Sequence, residues 1–280
     1  MKKTTISLAF SPCPNDTFIF DALINGKINN RGLKFDPVLK DVEELNNDAF
    51  SRKYDITKLS FASYPAVADE YIILDAGAAL GSGVGPLLVS RGNKEISKDS
   101  SVAIPGKHTT ANLLFSMFYP ECRNKTEMVF HEIPDAVAEG VFDYGILIHE
   151  GRFTYQNRGL VKISDLGDEW EKSIGLPIPL GCIIGKREMG NETLNSVNEM
   201  ISESIQYAFQ NPGSGMEYIR LHAQELENSV IKKHIELYVN DYSIDLGEKG
   251  RNAVEQLLTI SAETGNFPDI NKNIFLEKAI

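Results

Sequence analysis

Residues 79–92, ALGSGVGPLLVSRG, place glycines at positions 81, 83 and 85 ahead of the apolar run Leu87-Leu88-Val89. Glycine permits turns that other residues resist, and a short apolar run bounded by turn signals suits a buried strand. The segment therefore reads as a strand that leaves one lobe and crosses to a second. Pro177 to Ile184, bounded by Gly175 and Gly185, reads as the return crossing. Glycine and proline at both crossings would let two lobes close on a ligand between them. The expected division is residues 1–92 with 186–280 in the first lobe, and 93–185 in the second.

Working outward, each side of the first crossing alternates strand and helix. Ile6 to Phe10 is apolar enough for a buried strand, SPCPND (11–16) breaks it, and Thr17 to Ile24 reads as helix. Leu33 to Leu39 is a second strand, and the Asp41/Glu44 spacing suggests a capping box opening a helix toward Phe50. Tyr54 to Leu59 is a third strand, followed by a helix from Phe61 to Ala68. Beyond the crossing, Val102 to Ile104, Glu127 to Phe130 and Tyr144 to Ile148 read as strands. Between them lie a helix capped by Thr109 or Thr110 and running to about Tyr119, and a short one from Ile133 to Glu139. After the return crossing the pattern is helical. Strands alternating with helices predict an α/β fold with parallel pairing and helices on both faces of each sheet.

The 280 residues carry a formal net charge of -11, which argues against nucleic acid as a partner because no face gathers Lys and Arg. A small anion is still admissible, since helix N-termini and one or two local cations can hold it. Cys13, Cys122 and Cys182 lie far apart with no CxxC pair, so neither a zinc framework nor disulfides are expected and a reducing compartment fits. Met1-Lys2-Lys3, the apolar Ile6 to Phe10 and Cys13 mimic a lipoprotein leader. The apolar run is nevertheless shorter than the about seven residues that a signal core needs, and Pro12 precedes the cysteine. No stretch approaches the roughly twenty apolar residues that span a bilayer. The expectation is a cytoplasmic protein without membrane insertion.

Four segments can carry chemistry. In GILIHEGRFTY (145–155), His149 follows an apolar strand, and parallel α/β sheets gather ligands at the carboxyl ends of their strands. Its ordinary pKa near 6.5 suits a general base; a histidine bonded to the crossing loop is the plainer reading. In VAIPGKHTTANLLF (102–115), Thr109 and Thr110 open a helix whose free N–H groups and hydroxyls could cradle a carboxylate, or could simply cap it. His108 could contribute, although a loop histidine needs no such role. In SPCPNDTFIF (11–20), Asn15, Asp16 and Thr17 are cap candidates at the end of the first strand, and Cys13 reads as packed rather than nucleophilic. TKLSFASY (57–64) puts Lys58, Leu59 and Ser60 at the end of the third strand, facing the same cleft. Arg152 and Tyr155 could fix an anion or pair with acidic neighbours.

Six ordered blocks, SPCPNDTFIF (11–20), TKLSFASYPAV (57–67), ALGSGVGPLLVSR (79–91), VAIPGKHTTA (102–111), ILIHEGRFTY (146–155) and GLPIPLGC (175–182), resemble the 1,4-dihydroxy-6-naphthoate synthase family of the futalosine route to menaquinone. YVNDYSIDLGEKG (238–250) extends the likeness. The resemblance implies a two-lobed, periplasmic-binding-protein-like fold of type II, each lobe a mostly parallel sheet flanked by helices, with the ligand cleft between lobes. It further implies a carbon–carbon lyase acting on cyclic dehypoxanthinyl futalosinate. By motif, His149 would be the proton acceptor, and Lys58, Leu59, Ser60, Thr109 and Thr110 would contact substrate. Asn15, Asp16 and Arg152 are added as cleft candidates. A base-only elimination calls for no metal or other cofactor, the partner would be a small carboxylate, and a homo-oligomer is left open. Two alternatives are a chorismate dehydratase on the same scaffold, against which the IHEGRF block counts, and a solute-binding protein for an importer, which would need export.

Overall fold

Ile6, Leu8 and Phe10 point to one side of the first strand and Ala9 to the other, and all four are withdrawn from solvent. A strand buried on both faces belongs in the middle of a covered sheet. In the computed structural model, which describes residues 5–92, 95–223, 227–263, 270 and 272–277, that is where it lies. The Met1-Lys2-Lys3 part of the leader-like start falls outside the described residues. In chain order the strands are β1 (Thr5–Phe10), β2 (Lys34–Leu39), β3 (Ile56–Ser60), β4 (Tyr71–Ile73), β5 (Ala79–Gly81) and β6 (Leu87–Ser90). They continue with β7 (Val102–Ile104), β8 (Lys125–Glu127), β9 (Tyr144–Leu147), β10 (Val161–Asp165) and β11 (Ile178–Lys186). One sheet has the order β2-β1-β3-β11-β4 with β5 also on β11; the other is β10-β6-β9-β7-β8.

The sheets are mixed rather than mostly parallel. β1 pairs in parallel with β2 and β3, and β7 with β8 and β9, each joined through crossover helices. β11 runs antiparallel to β3, β4 and β5, and β6 antiparallel to β9 and β10. The parallel pairs are joined through long crossovers, whereas β6 and β11 enter their sheets from the other lobe and run against their neighbours. By sheet membership β6 sits in the second lobe and β11 in the first, so the changes of sheet fall within 82–86 and 166–177, ahead of the divisions expected at 92 and 185. Backbone crowding holds the first change in place. A Cβ on Gly85 would lie 2.2 Å from the Gly167 amide nitrogen, so only glycine allows these two segments to touch.

Several local expectations shift for identifiable reasons. The first helix starts at Pro14, not Thr17, because proline is pre-organised for a first helical position (Pro14–Ile24). Asp41 caps the helix Val42–Phe50 by accepting from the Glu43 amide at 2.8 Å, while Glu44 makes no reciprocal bond and instead pairs with Lys40. Phe61–Ala66 is a 3-10 turn with Pro65 inside it. β8 lies at 125–127 instead of 127–130, because this exposed edge strand is held by backbone pairing to β7 and carries no apolar signature.

The C-terminal helices close the first lobe. Leu194, Val197, Ile201, Ile205, Ile231 and Ile235 pack with Ile6, Leu8, Phe10, Phe20 and Leu23 into one core. A second core runs from Leu59, Phe61 and Tyr64 in the first lobe to Leu88, Val102, Leu114, Phe115, Tyr144 and Trp170 in the second. Truncating a large member of such a cluster to alanine costs about 2–5 kcal/mol. Among the described residues no helix is long and apolar enough to cross a membrane.

Candidate active site

The carboxyl ends of four parallel strands converge between the lobes: β1 and β3 from one sheet, β7 and β9 from the other. They surround a cleft of about 80 Å3, lined by Ser11, Asn15, Asp16, Lys58, Ser60 and His149 among others.

β1 ends at Phe10, and the turn Ser11 to Cys13 delivers Asn15 and Asp16 into the first turn of the next helix. The Asp16 carboxylate accepts from Ser11 N (3.1 Å), Ser11 Oγ (2.8 Å), Asn15 Nδ2 (2.8 Å) and Lys58 Nζ (2.8 Å). Lys58 comes from β3, and both partners are almost fully buried. An ion pair removed from water holds only when its remaining lone pairs are filled, and here four donors fill them. Next to Lys58, Ser60 N donates to Asn46 Oδ1 (2.9 Å), and Asn46 Nδ2 donates to Ser60 Oγ (3.1 Å).

His149 follows β9 in a left-handed conformation, φ 51°, which a non-glycine residue adopts at a cost of about 1 kcal/mol or more. The turn aims the imidazole into the cleft, where it lies between the Phe130 ring (4.8 Å between centroids) and the parallel His234 ring (5.8 Å). Burial lowers its pKa from 6.5 to about 4, the Asp16 charge opposing and the Lys58 charge adding to the shift. The ring is consequently neutral, and able to accept a proton, throughout the neutral range. Its neighbour Cys13 is the opposite of an activated thiol. Burial and the Glu150 carboxylate push it well above its usual range. Cys13 Sγ, a His149 ring nitrogen and a Glu150 oxygen lie within 4.8 Å of one another.

The second lobe closes the cleft with the helix Thr110–Phe118. Thr109 caps it, accepting from Asn112 N (3.2 Å) and donating to Gly106 O (2.8 Å). Thr110 Oγ1 donates to Leu180 O (2.8 Å) on β11 and accepts from Ala62 N (3.3 Å), both in the first lobe. Both hydroxyls are therefore engaged in holding structure. What the helix still offers an anion is its first-turn amides, which have no carbonyl one turn earlier within it. His108 also reaches across: Nδ1 lies 2.7 Å from Glu43 Oε1, its amide donates to Glu43, and Ser63 Oγ donates to its carbonyl. A Cβ on Gly106 would stand 2.5 Å from Glu43 Oε2, so glycine there makes room for this latch.

A family model described as menaquinone biosynthesis matches residues 6–263. The chain belongs to that menaquinone-biosynthesis family. It is 44% identical over 260 residues, 93% of its length and 95% of the relative's, to a Thermus thermophilus protein named 1,4-dihydroxy-6-naphtoate synthase. A Streptomyces coelicolor protein of the same name is 40% identical over 273 residues, 96% of each chain. The family is thus one of biosynthetic enzymes. A Candida albicans protein described as having the generic periplasmic binding protein fold aligns over 98% of both chains at 13% identity with a TM-score of 0.68, and the two mixed sheets flanked by helices are that fold.

Within this enzyme of menaquinone biosynthesis, Asn15, Asp16, Lys58, Leu59, Ser60, Thr109, Thr110 and His149 all line one cleft. Arg152 does not. Its guanidinium is held by Asp165 Oδ2 (2.8 Å) and by the Gly85 carbonyl, so it fastens the first crossing instead of facing the ligand space. Sequence reading passed over Ser11, Glu43, Asn46, His234 and Tyr238. The last two stand one turn apart on the helix Asn228–Tyr238, and their rings touch at 4.7 Å. That i, i+4 spacing of aromatic rings was the available signal.

Proposed function

We propose that this chain converts cyclic dehypoxanthinyl futalosinate into 1,4-dihydroxy-6-naphthoate, with His149 as the general base. The observation that carries the reading is the His149 ring itself, lining the cleft from a strained turn, where burial lowers its pKa and favours the neutral, proton-accepting form. Removing an acidic proton beside a carbonyl opens the ring system to elimination. A three-carbon sugar fragment leaves, and aromatisation supplies the driving force.

The other residues divide the remaining work. Lys58, bonded to Asp16 at the cleft wall, supplies positive potential where negative charge develops on a carbonyl oxygen. The first amides of the helix Thr110–Phe118 are suited to the substrate carboxylate, and the helix dipole favours an anion there. Thr109 shapes that helix start, and Thr110 ties it to β11. Leu59 and Ser60 supply an apolar wall and a hydroxyl on the side of the first lobe. The relatives are named as biosynthetic enzymes, which supports a cytoplasmic location.

The test is direct. Purified protein is incubated with cyclic dehypoxanthinyl futalosinate, and the products are read by mass spectrometry. Appearance of the naphthoate with stoichiometric loss of substrate supports the reading. Tight binding without turnover would favour a receptor instead.

A further inference from the structure

His234 is fully buried on the helix Asn228–Tyr238, and nothing in the mechanism above uses it. Its ring is nearly parallel to that of His149, 5° between planes. Its Nε2 lies 2.9 Å from Asn15 Oδ1. Its Nδ1 is buried with no hydrogen-bond partner among the described residues.

These contacts fix protons that no coordinate shows directly. Asn15 places one end of its amide 2.8 Å from Asp16 Oδ1. A carboxylate accepts and does not donate, so that end must be the NH2. The other end is then the carbonyl oxygen, an acceptor, and His234 must offer it a proton from Nε2. A neutral imidazole with hydrogen on Nε2 has a bare Nδ1, which matches the nitrogen left without a partner.

From this geometry we infer that His234 is a positioning residue for His149, clamping its ring by stacking and, through Asn15, holding Asp16 turned toward Lys58. Asn15 donates to Asp16 only while its own carbonyl is engaged by His234. Without that bond the amide can rotate, and the Asp16 charge is less fully occupied beside His149. The groups facing His149 are Asp16 and Cys13 from the first helix and its cap, Lys58 from β3, Glu150 next in sequence, and His234. Of these, only Asp16 has its hydrogen bonding governed by His234 through Asn15.

The inference rests on His149 being the base for its kinetic consequence, but its structural part can be read without turnover. In wild-type protein labelled with 15N-histidine, the His234 ring should carry its proton on Nε2 and stay uncharged between pH 5 and 8. His234→Phe keeps a stacking ring and removes the donor. It should raise the His149 titration midpoint, because Asp16 favours the imidazolium, and lower kcat by about 10- to 100-fold with little change in KM. His234→Gln restores an amide donor and should return the midpoint toward wild type. A proton found on Nδ1 overturns the inference, and so does an unmoved His149 midpoint in folded His234→Phe. If the midpoint moves as expected while kcat is untouched, the positioning stands and the base assignment of His149 is what fails.

Discussion

Replacing Lys58 by methionine keeps an unbranched side chain of similar reach and removes the ammonium that stands 2.8 Å from Asp16 Oδ1. The two side chains are 7% and 1% exposed, so the remaining carboxylate cannot turn to solvent. Breaking a buried pair from one side costs about 3–5 kcal/mol. Ser11 and Asn15 continue to donate to Asp16, which places the expected loss near the lower end, about 3 kcal/mol. Urea unfolding at pH 7 reads this as a lower midpoint at unchanged slope. Adding Asp16→Asn to the same chain removes the stranded charge and should recover most of the loss. The pH profile carries a second signature. Lys58 disfavours the His149 imidazolium and Asp16 favours it, so losing Lys58 raises the His149 pKa from about 4 toward 6.5, and activity disappears at a higher pH as acid is added. A stability loss under about 1 kcal/mol together with an unmoved acid limb would refute the ion pair as the organiser of this cleft.

Three further outcomes follow from the same geometry. Cys13→Ala should keep most of the activity, since burial and Glu150 oppose a thiolate; a loss matching that of a His149 variant would point to covalent chemistry. Thr110→Val strands the Leu180 carbonyl and the Ala62 amide, so it should cost about 1–3 kcal/mol by denaturant unfolding and raise KM more than it lowers kcat, because the lost bonds join the lobes. Glu43→Ala cuts both of its contacts to His108 and should enlarge the radius of gyration of the ligand-free protein in solution scattering; an unchanged curve would mean that the latch does not hold the lobes together.

Much of this architecture was legible in the chain because burial leaves a pattern. β1, β2, β7, β9 and the helix Ile133–Glu139 announce themselves as apolar runs or capped segments. β8 does not, because Lys125, Thr126 and Glu127 form a polar edge strand without an apolar run. Strand direction was equally hidden. No residue in β11 says that it lies antiparallel to β3, since the direction of a strand that returns from the other sheet leaves no mark on its own side chains.

The site shows the same division. His149, Lys58 and Asp16 could be placed because each lies on or after a parallel strand whose carboxyl end opens on the cleft. Arg152 stays open in sequence between fixing an anion and pairing with an acidic neighbour, because nothing local says that Asp165, thirteen residues later in the chain, will claim it. His234 and Asn15 are 219 residues apart, and Glu43 and His108 are 65 apart. Such pairs exist only after two lobes and a C-terminal helix have been brought together.

The measurement that tests the account most directly is the turnover of His149→Asn on cyclic dehypoxanthinyl futalosinate, alongside the wild-type kcat/KM profile from pH 4 to 8. Asparagine keeps a polar side chain but takes no proton. The account predicts a kcat lower by about 10² to 10⁴ with substrate binding largely retained. It also predicts a wild-type acid limb well below pH 6.5, because burial holds the imidazole neutral down to about pH 4. A folded His149→Asn protein that binds substrate and turns it over within a few fold of wild type would contradict the assignment of His149 as the base.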